Sequence, residues 1–274
     1  MNPRINRRSL WLAALISGTA LLPRIVDATV VEFQTVMGNF EVNLYDNATP
    51  ATAANFLNYV NNGAYTNTLF HRSVAGFVVQ GGGFTFDLAV PLDLVPTNAP
   101  VVNEPEFSNV RGTIAMAKVG GDPNSATSQW YFNLANNSAN LDGQNGGFTV
   151  FGQVIGNGMD VIDAIAALPR FDFSGATNEI PLRNYTTTDF NNLVPIDDTH
   201  LVIITAVIVT DSTVDSAAGL NPAPNTLISS SSPSTPPPTG GGGGGTFSVF
   251  ALFGLLLAYR FRTTRRLRMH TRGA

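Results

Sequence analysis

The chain has 274 residues, 15 Lys and Arg against 19 Asp and Glu, and no cysteine, which excludes a disulfide framework and thiolate chemistry. Its net charge of −4 hides a segregation. Residues 29–210 carry five basic side chains against sixteen acidic ones, a net of −11, and the other ten basic residues are arginines near the two ends. An acidic body of this kind excludes nucleic acid as a partner, because phosphates demand clustered Lys and Arg.

Residues 1–28 open with Arg4, Arg7 and Arg8, run through an apolar stretch over 10–22 and close on Val26-Asp27-Ala28. That is the pattern of a secretory signal peptide. Residues 29–36 and 40–44 read as strands, with Met37-Gly38-Asn39 as the hairpin between them. Thr49-Pro50 then opens a helix, threonine as N-cap and proline at the first helical position. Ala53, Phe56, Leu57 and Val60 give it a buried face, and Gly63 ends it. Residues 68–72 and 77–80 are strands, and 88–107 is a long surface loop.

Further strands are expected over 113–117, 129–134 and 148–154. A second helix is expected over 158–168, with Asn157 near its cap. Residues 171–192 read as an insertion of turns. The last strand, 201–209, is apolar without a break, which suggests burial on both faces. Seven or eight strands and two helices favour a closed or nearly closed antiparallel sheet with helices at its ends.

Residues 212–245 are rich in Ser, Pro and Gly and read as a disordered linker. Residues 246–260 are apolar, and the arginines of 261–274 follow. The segment is short against the roughly twenty residues of a typical span. Its flanking positive charge fits a stop-transfer anchor that leaves the acidic domain outside and an Arg-rich tail in the cytoplasm.

Within 70–85 the only fixed charge is Arg72, set among Phe70, Val74, Phe77, Val78 and Phe84. A guanidinium in apolar surroundings needs acceptors. Arg72 is therefore either satisfied by backbone carbonyls at a sheet edge or aimed at a ligand, and this stretch alone supports both. Alternation over 77–80 places Phe77 and Val79 on one face, Val78 and Gln80 on the other. Gly81-Gly82-Gly83 lets the backbone pass close to something bulky. His71 reads as structural. With His200 and His270 as the only other histidines and no spaced partners, neither a metal nor a cofactor is expected.

Phe70-His71-Arg72, Gly76-Phe77 and Gln80-Gly81-Gly82 precede Ser128-Gln129-Trp130-Tyr131-Phe132, Leu141-Asp142-Gly143 and Val150-Phe151-Gly152. Taken together these blocks resemble the cyclophilins, peptidyl-prolyl cis-trans isomerases, over roughly 29–210. Met116-Ala117-Lys118 with 122–129 looks closest to the exported bacterial type. The resemblance implies a mainly β fold, an eight-stranded antiparallel closed β-barrel capped by two α-helices. It implies Arg72 as the catalytic arginine and Gln80 as the glutamine beside it. Phe77 falls on the floor of the proline pocket, with Val78, Ala117, Gln129, Tyr131, Leu141 and Phe148 on substrate-binding positions.

Three positions depart from the family pattern. Val78 replaces a frequent methionine, Phe148 a frequent histidine, and Asn140 stands where eukaryotic members often carry tryptophan and bacterial ones phenylalanine. The last change argues against tight cyclosporin binding. The tail is similar to glycine-rich bacterial C-terminal sorting signals, some of which are cleaved. The resemblance implies that the partners are proline-containing polypeptides. The expected protein is a monomeric, exported, membrane-tethered isomerase on the periplasmic or cell-envelope side. Its rival from another class is a non-catalytic, tethered proline-binding chaperone.

Overall fold

The computed structural model describes residues 29–87, 92–212 and 220–228. The leader, the glycine run, the apolar segment and the arginine tail lie outside the described residues. The first half of the chain forms β1 (Val30–Thr35), β2 (Phe40–Leu44), α1 (Pro50–Asn61), β3 (Thr68–Leu69), β4 (Arg72–Val74), β5 (Val78–Gly81), β6 (Phe84–Thr85) and β7 (Asp93–Leu94). The second half forms β8 (Thr113–Met116), β9 (Trp130–Asn133), α2 (Ser138–Leu141), β10 (Val150–Val154) and α3 (Gly158–Ala166). It ends with β11 (Arg170–Phe171), β12 (Ile180–Pro181), α4 (Thr187–Asn191) and β13 (Ile203–Asp211).

Eleven strands make one antiparallel sheet in the order β4-β5-β9-β8-β10-β2-β1-β13-β3-β6-β7, and β11 pairs with β12 in a separate ribbon. The sheet curls shut through the step from β3 to β4. Phe70 N–H donates to the carbonyl of Val202 at 3.1 Å, beside β13, and His71 N–H donates to that of Gln80 at 3.1 Å, in β5. One short stretch thus serves both ends of the sheet. The fold is the mainly β barrel expected, with a different strand count: the strand read over 68–72 breaks at Phe70-His71, and β6 and β7 add a short pair.

The inward side chains alternate along the strands and meet in one core that includes Val31, Phe33, Val42, Ile114, Trp130 and Phe132, all fully buried. Phe33 stacks on Phe40 with ring centroids 4.9 Å apart, and the rings of Trp130 and Phe132 stand edge-on to it. α1 adds Phe56, Tyr59 and Val60 to this core, and α3 adds Ile162 and Ile165.

Some local expectations need correction. The Thr49 side chain does not cap α1; its hydroxyl donates to the Tyr45 carbonyl at 3.2 Å. The cap comes from Glu104, whose carboxylate accepts the N–H groups of Ala51 (3.1 Å) and Thr52 (2.8 Å). A negative charge is well placed at a helix N-terminus, and here it comes from the loop read as mere surface. The last strand is not buried on both faces: Ile204 and Val207 are, while Ile208 and Val209 stay 42% and 38% exposed. Residues 171–192 are more than turns. β11, β12 and α4 hold a satellite core of Leu69, Phe171, Ile180, Leu182 and Tyr185. α4 carries a capping box in which Thr186 and Asp189 exchange hydrogen bonds.

Part of the segment read as linker packs on the domain. Ser108 N–H donates to the Ala223 carbonyl and Asn225 N–H to the Glu106 carbonyl, both at 2.8 Å, so residues 220–228 add a short antiparallel strap beside Phe107. Its Asn225 side chain donates to the Asp142 carbonyl at 3.0 Å, and Leu220 packs near Phe107.

Candidate active site

Strand register assembles the site. Arg72 on β4 lies opposite Gln80 on β5, Gln80 opposite Tyr131 on β9, Tyr131 opposite Ala115 on β8, and Ala115 opposite Val150 on β10. Directly paired residues share a face, so this row of five crosses the outer surface of the barrel wall. Their neighbours Val79, Phe132 and Ile114 point inward to the main core.

On the outer face Val78, Ala117, Tyr131, Leu141 and Phe148 form a second apolar cluster, with Phe77 packed against it. All nine residues singled out from the sequence therefore reach one face. Phe77 does not follow the expected alternation. Gly76, at φ +66°, turns the chain just before β5, and Phe77 joins the cluster of Val78 rather than the side of Val79. The glycine triplet does admit bulk: a Cβ on Gly81 would lie 2.6 Å from the Trp130 ring, and one on Gly83 2.8 Å from the Gln129 amide carbon.

Arg72 is largely buried, its side chain 16% exposed. Its Nη2 lies 3.3 Å from Oε2 of Glu179, whereas Nη1 is buried and has no hydrogen-bond partner among the described residues. Burial lowers the pKa of the guanidinium and Glu179 opposes that shift. The choice left open by the sequence narrows here: this arginine is not saturated by backbone carbonyls. Gln80 makes no hydrogen bond to it among the described residues; its Nε2 donates to Oε1 of Gln129 at 2.9 Å. The two glutamines brace each other next to the guanidinium's strand.

His71 is buried with its ring 4.9 Å from that of Phe84, and burial together with the Arg72 charge holds its pKa down at about 3. It stays neutral at ordinary pH, in keeping with a structural role.

The apolar wall is closed from behind. Tyr131, Leu141 and Phe148 are almost wholly buried, while Phe77, Gln129 and Arg72 keep some exposure. The Tyr131 hydroxyl donates to Oδ1 of Asn109 at 2.8 Å, and Asn109 donates through N–H (2.8 Å) and Nδ2 (3.0 Å) to Oδ1 of Asp142. The tyrosine hydroxyl thus has a buried partner. Lys118 sits 4.6 Å from the centroid of the Phe148 ring and donates to the carbonyls of Asn145 and Gly147; burial pushes its pKa down to about 8.

Sequence reasoning missed Glu179, Asn109 and Lys118 as neighbours of this site. Lys118 stood next to Ala117 in the motif, so adjacency could have flagged it. Glu179 and Asn109 lie in irregular segments with no periodic signal.

A family model described as cyclophilin type peptidyl-prolyl cis-trans isomerase/CLD matches residues 30–188. The chain belongs to that family. It is 42% identical over 173 residues to a peptidyl-prolyl cis-trans isomerase of Acinetobacter baylyi, covering 62% of this chain and 88% of that one. Peptidyl-prolyl cis-trans isomerase B of Escherichia coli is 37% identical over 158 residues, 56% of this chain and 92% of its own. A crystal structure of a cyclophilin type isomerase from Cryptosporidium parvum aligns at a TM-score of 0.46 and 22% identity, over 67% of this chain and 98% of that one. This cyclophilin is thus a peptidyl-prolyl cis-trans isomerase, and its residues 189–211, including β13, complete the domain beyond the family match.

Proposed function

We propose that Arg72 is the catalytic group of this isomerase, and that it acts on proline-containing segments of exported proteins. The observation that carries this reading is a guanidinium that keeps 16% exposure and whose buried Nη1 has no hydrogen-bond partner among the described residues, on the same wall as an apolar cluster that ends in partly exposed Phe77. Amide resonance sets the barrier to X-Pro rotation at about 18–20 kcal/mol. No bond breaks, so no nucleophile is required. Phe77 takes the proline ring, with Val78, Ala117, Tyr131, Leu141 and Phe148 giving that surface its shape. Gln80 and Gln129 hold the polar edge along which the substrate backbone lies.

The guanidinium then donates toward the prolyl amide as it twists and its nitrogen gains a lone pair. A donor fixed in advance stabilises the twisted state over either planar one, which is catalysis by differential binding. About tenfold in rate follows from each 1.36 kcal/mol gained this way. Phe148 replaces the family's frequent histidine, so no imidazole is asked to move a proton.

Export and tethering rest on residues 1–28 and 246–274, read from their composition. Among the described residues no helix is long and apolar enough to cross a membrane, and the C-terminal segment lies outside them. The full-length protein is expected to sediment with membranes and to need detergent for release. Recovery of the intact chain in the soluble fraction overturns the tether.

Activity is tested with a protease-coupled assay on a short X-Pro peptide. Arg72→Ala should lower kcat/KM by about 10²–10³, the usual scale for losing one preorganised donor. Binding of the peptide without acceleration by the wild type would favour the tethered chaperone instead.

A further inference from the structure

The acidic residue facing Arg72 comes from outside the strands that build the site. Glu179 stands just before β12, between the turn at Gly175–Thr177 and Ile180. Its carbonyl accepts the N–H of Ser73 at 2.8 Å, so the backbone of the ribbon pairs with the edge of β4 at the residue after Arg72. Ile180 is anchored in the satellite core with Leu69, Phe171 and Tyr185. The carboxylate is therefore placed by a backbone hydrogen bond on one side and an apolar anchor on the other. Its own side chain is 36% exposed and reaches Nη2 of Arg72 at 3.3 Å. The opposite nitrogen of the guanidinium, Nη1, has no partner among the described residues.

We infer that Glu179 is a positioning residue: it holds Nη2 of Arg72 and so fixes the direction of the whole guanidinium in the site. The inference rests on Arg72 being the catalytic group. An arginine side chain has many rotamers, and a donor that must be ordered during the reaction gives up part of its effect. Gln80 does not supply that restraint: its Nε2 donates to Gln129, and no hydrogen bond joins Gln80 to Arg72 among the described residues. A partly exposed ion pair contributes little to stability, so the role of Glu179 is to fix direction rather than to hold the fold. The sequence between β11 and β12 thus acts as an adjustable support for the catalytic cation.

The test compares wild type, Arg72→Ala, Glu179→Gln and the double variant in the same peptide assay on the full chain. Glu179→Gln keeps the Ser73 backbone bond and nearly the same shape. It should lower kcat by about tenfold, the scale of a small misplacement, with KM changed less than twofold. In the Arg72→Ala background the same change should have no further effect. Glu179→Asp, with the charge kept on a shorter arm, should recover part of the loss. If Arg72→Ala keeps wild-type turnover, the reading of the site fails and this inference falls with it. If Arg72→Ala is inactive but Glu179→Gln turns over like wild type, the inference alone is overturned. It is equally overturned if the two losses add in full, or if the loss in Glu179→Gln matches a fall in folded fraction measured by circular dichroism.

Discussion

The two flanks of Arg72 are built on different principles. On one side the wall of Val78, Tyr131, Leu141 and Phe148 is fully buried and tied from behind through Asn109 and Asp142 to the strap at Asn225. On the other side the ribbon of β11 and β12 touches β4 through the Ser73–Glu179 backbone bond and sets a partly exposed carboxylate beside the guanidinium. The wall shares its strands with the barrel core, so changing it disturbs the whole domain. The ribbon rests on a satellite core and can vary with less consequence for the fold. On the proposed reading, shape recognition is thus coupled to global stability, and the aim of the cation is not.

The largest effect should come from attacking the wall. Phe148→Ala removes a fully buried ring, at a cost of about 3–5 kcal/mol, and chemical denaturation should show it as a lower midpoint. An unchanged midpoint would mean that this flank is no more integral than the ribbon.

Behind the arginine, His71 sharpens the comparison through pH. Its folded pKa of about 3 lies below the ordinary value of 6.5. Below 6.5 the unfolded chain takes up a proton that the folded one refuses. Its contribution is therefore complete above pH 6.5 and is lost as pH falls toward 3, by up to about 1.4 kcal/mol per pH unit. His71→Gln should flatten the acid limb of the stability curve, measured by urea unfolding between those pH values. A limb of the same slope would assign the acid sensitivity elsewhere.

A smaller effect is expected at the tie behind the wall. Asn109→Ala leaves the Tyr131 hydroxyl buried without its acceptor, costing about 1–3 kcal/mol. Adding Tyr131→Phe should return part of that loss, because the stranded hydroxyl is gone. Full additivity of the two changes would sink the proposed tie. Smallest is Thr186→Ala in the capping box of α4, about 1 kcal/mol at most. Amide exchange should quicken in α4 while β8 and β9 keep their protection. Equal acceleration in both would show that the ribbon flank is not a separate unit.

Legibility in the sequence follows the same division. Strand-like composition and turn signals identified β1, β2, β8, β9 and β10, whose register brings Arg72, Gln80 and Tyr131 into one row, while Ala117, Leu141 and Phe148 join them through packing. Phe77 escaped because Gly76 turns the chain before the strand begins, and alternation holds only inside a strand. Thr49 holds the N-cap position of α1 as read, but local pattern rules cannot see Glu104, which arrives from a distant loop and supplies the capping hydrogen bonds. Glu179 was hidden for the same reason: its importance comes from tertiary pairing with Ser73, not from its neighbours. Residues 220–228 looked like linker by composition, yet the proline-bearing backbone accepts and donates ladder bonds at positions where proline is absent.

That strap also decides where mechanical load would enter the molecule. Ile228, the last described residue, lies beside Gly147, and Asn225 just before it bonds the Asp142 carbonyl, so this end of the described residues is pinned away from the end of β13. A pull applied at Ile228 would bear on the seam at Glu106 and Ser108, and through Asn225 on the loop behind the apolar wall.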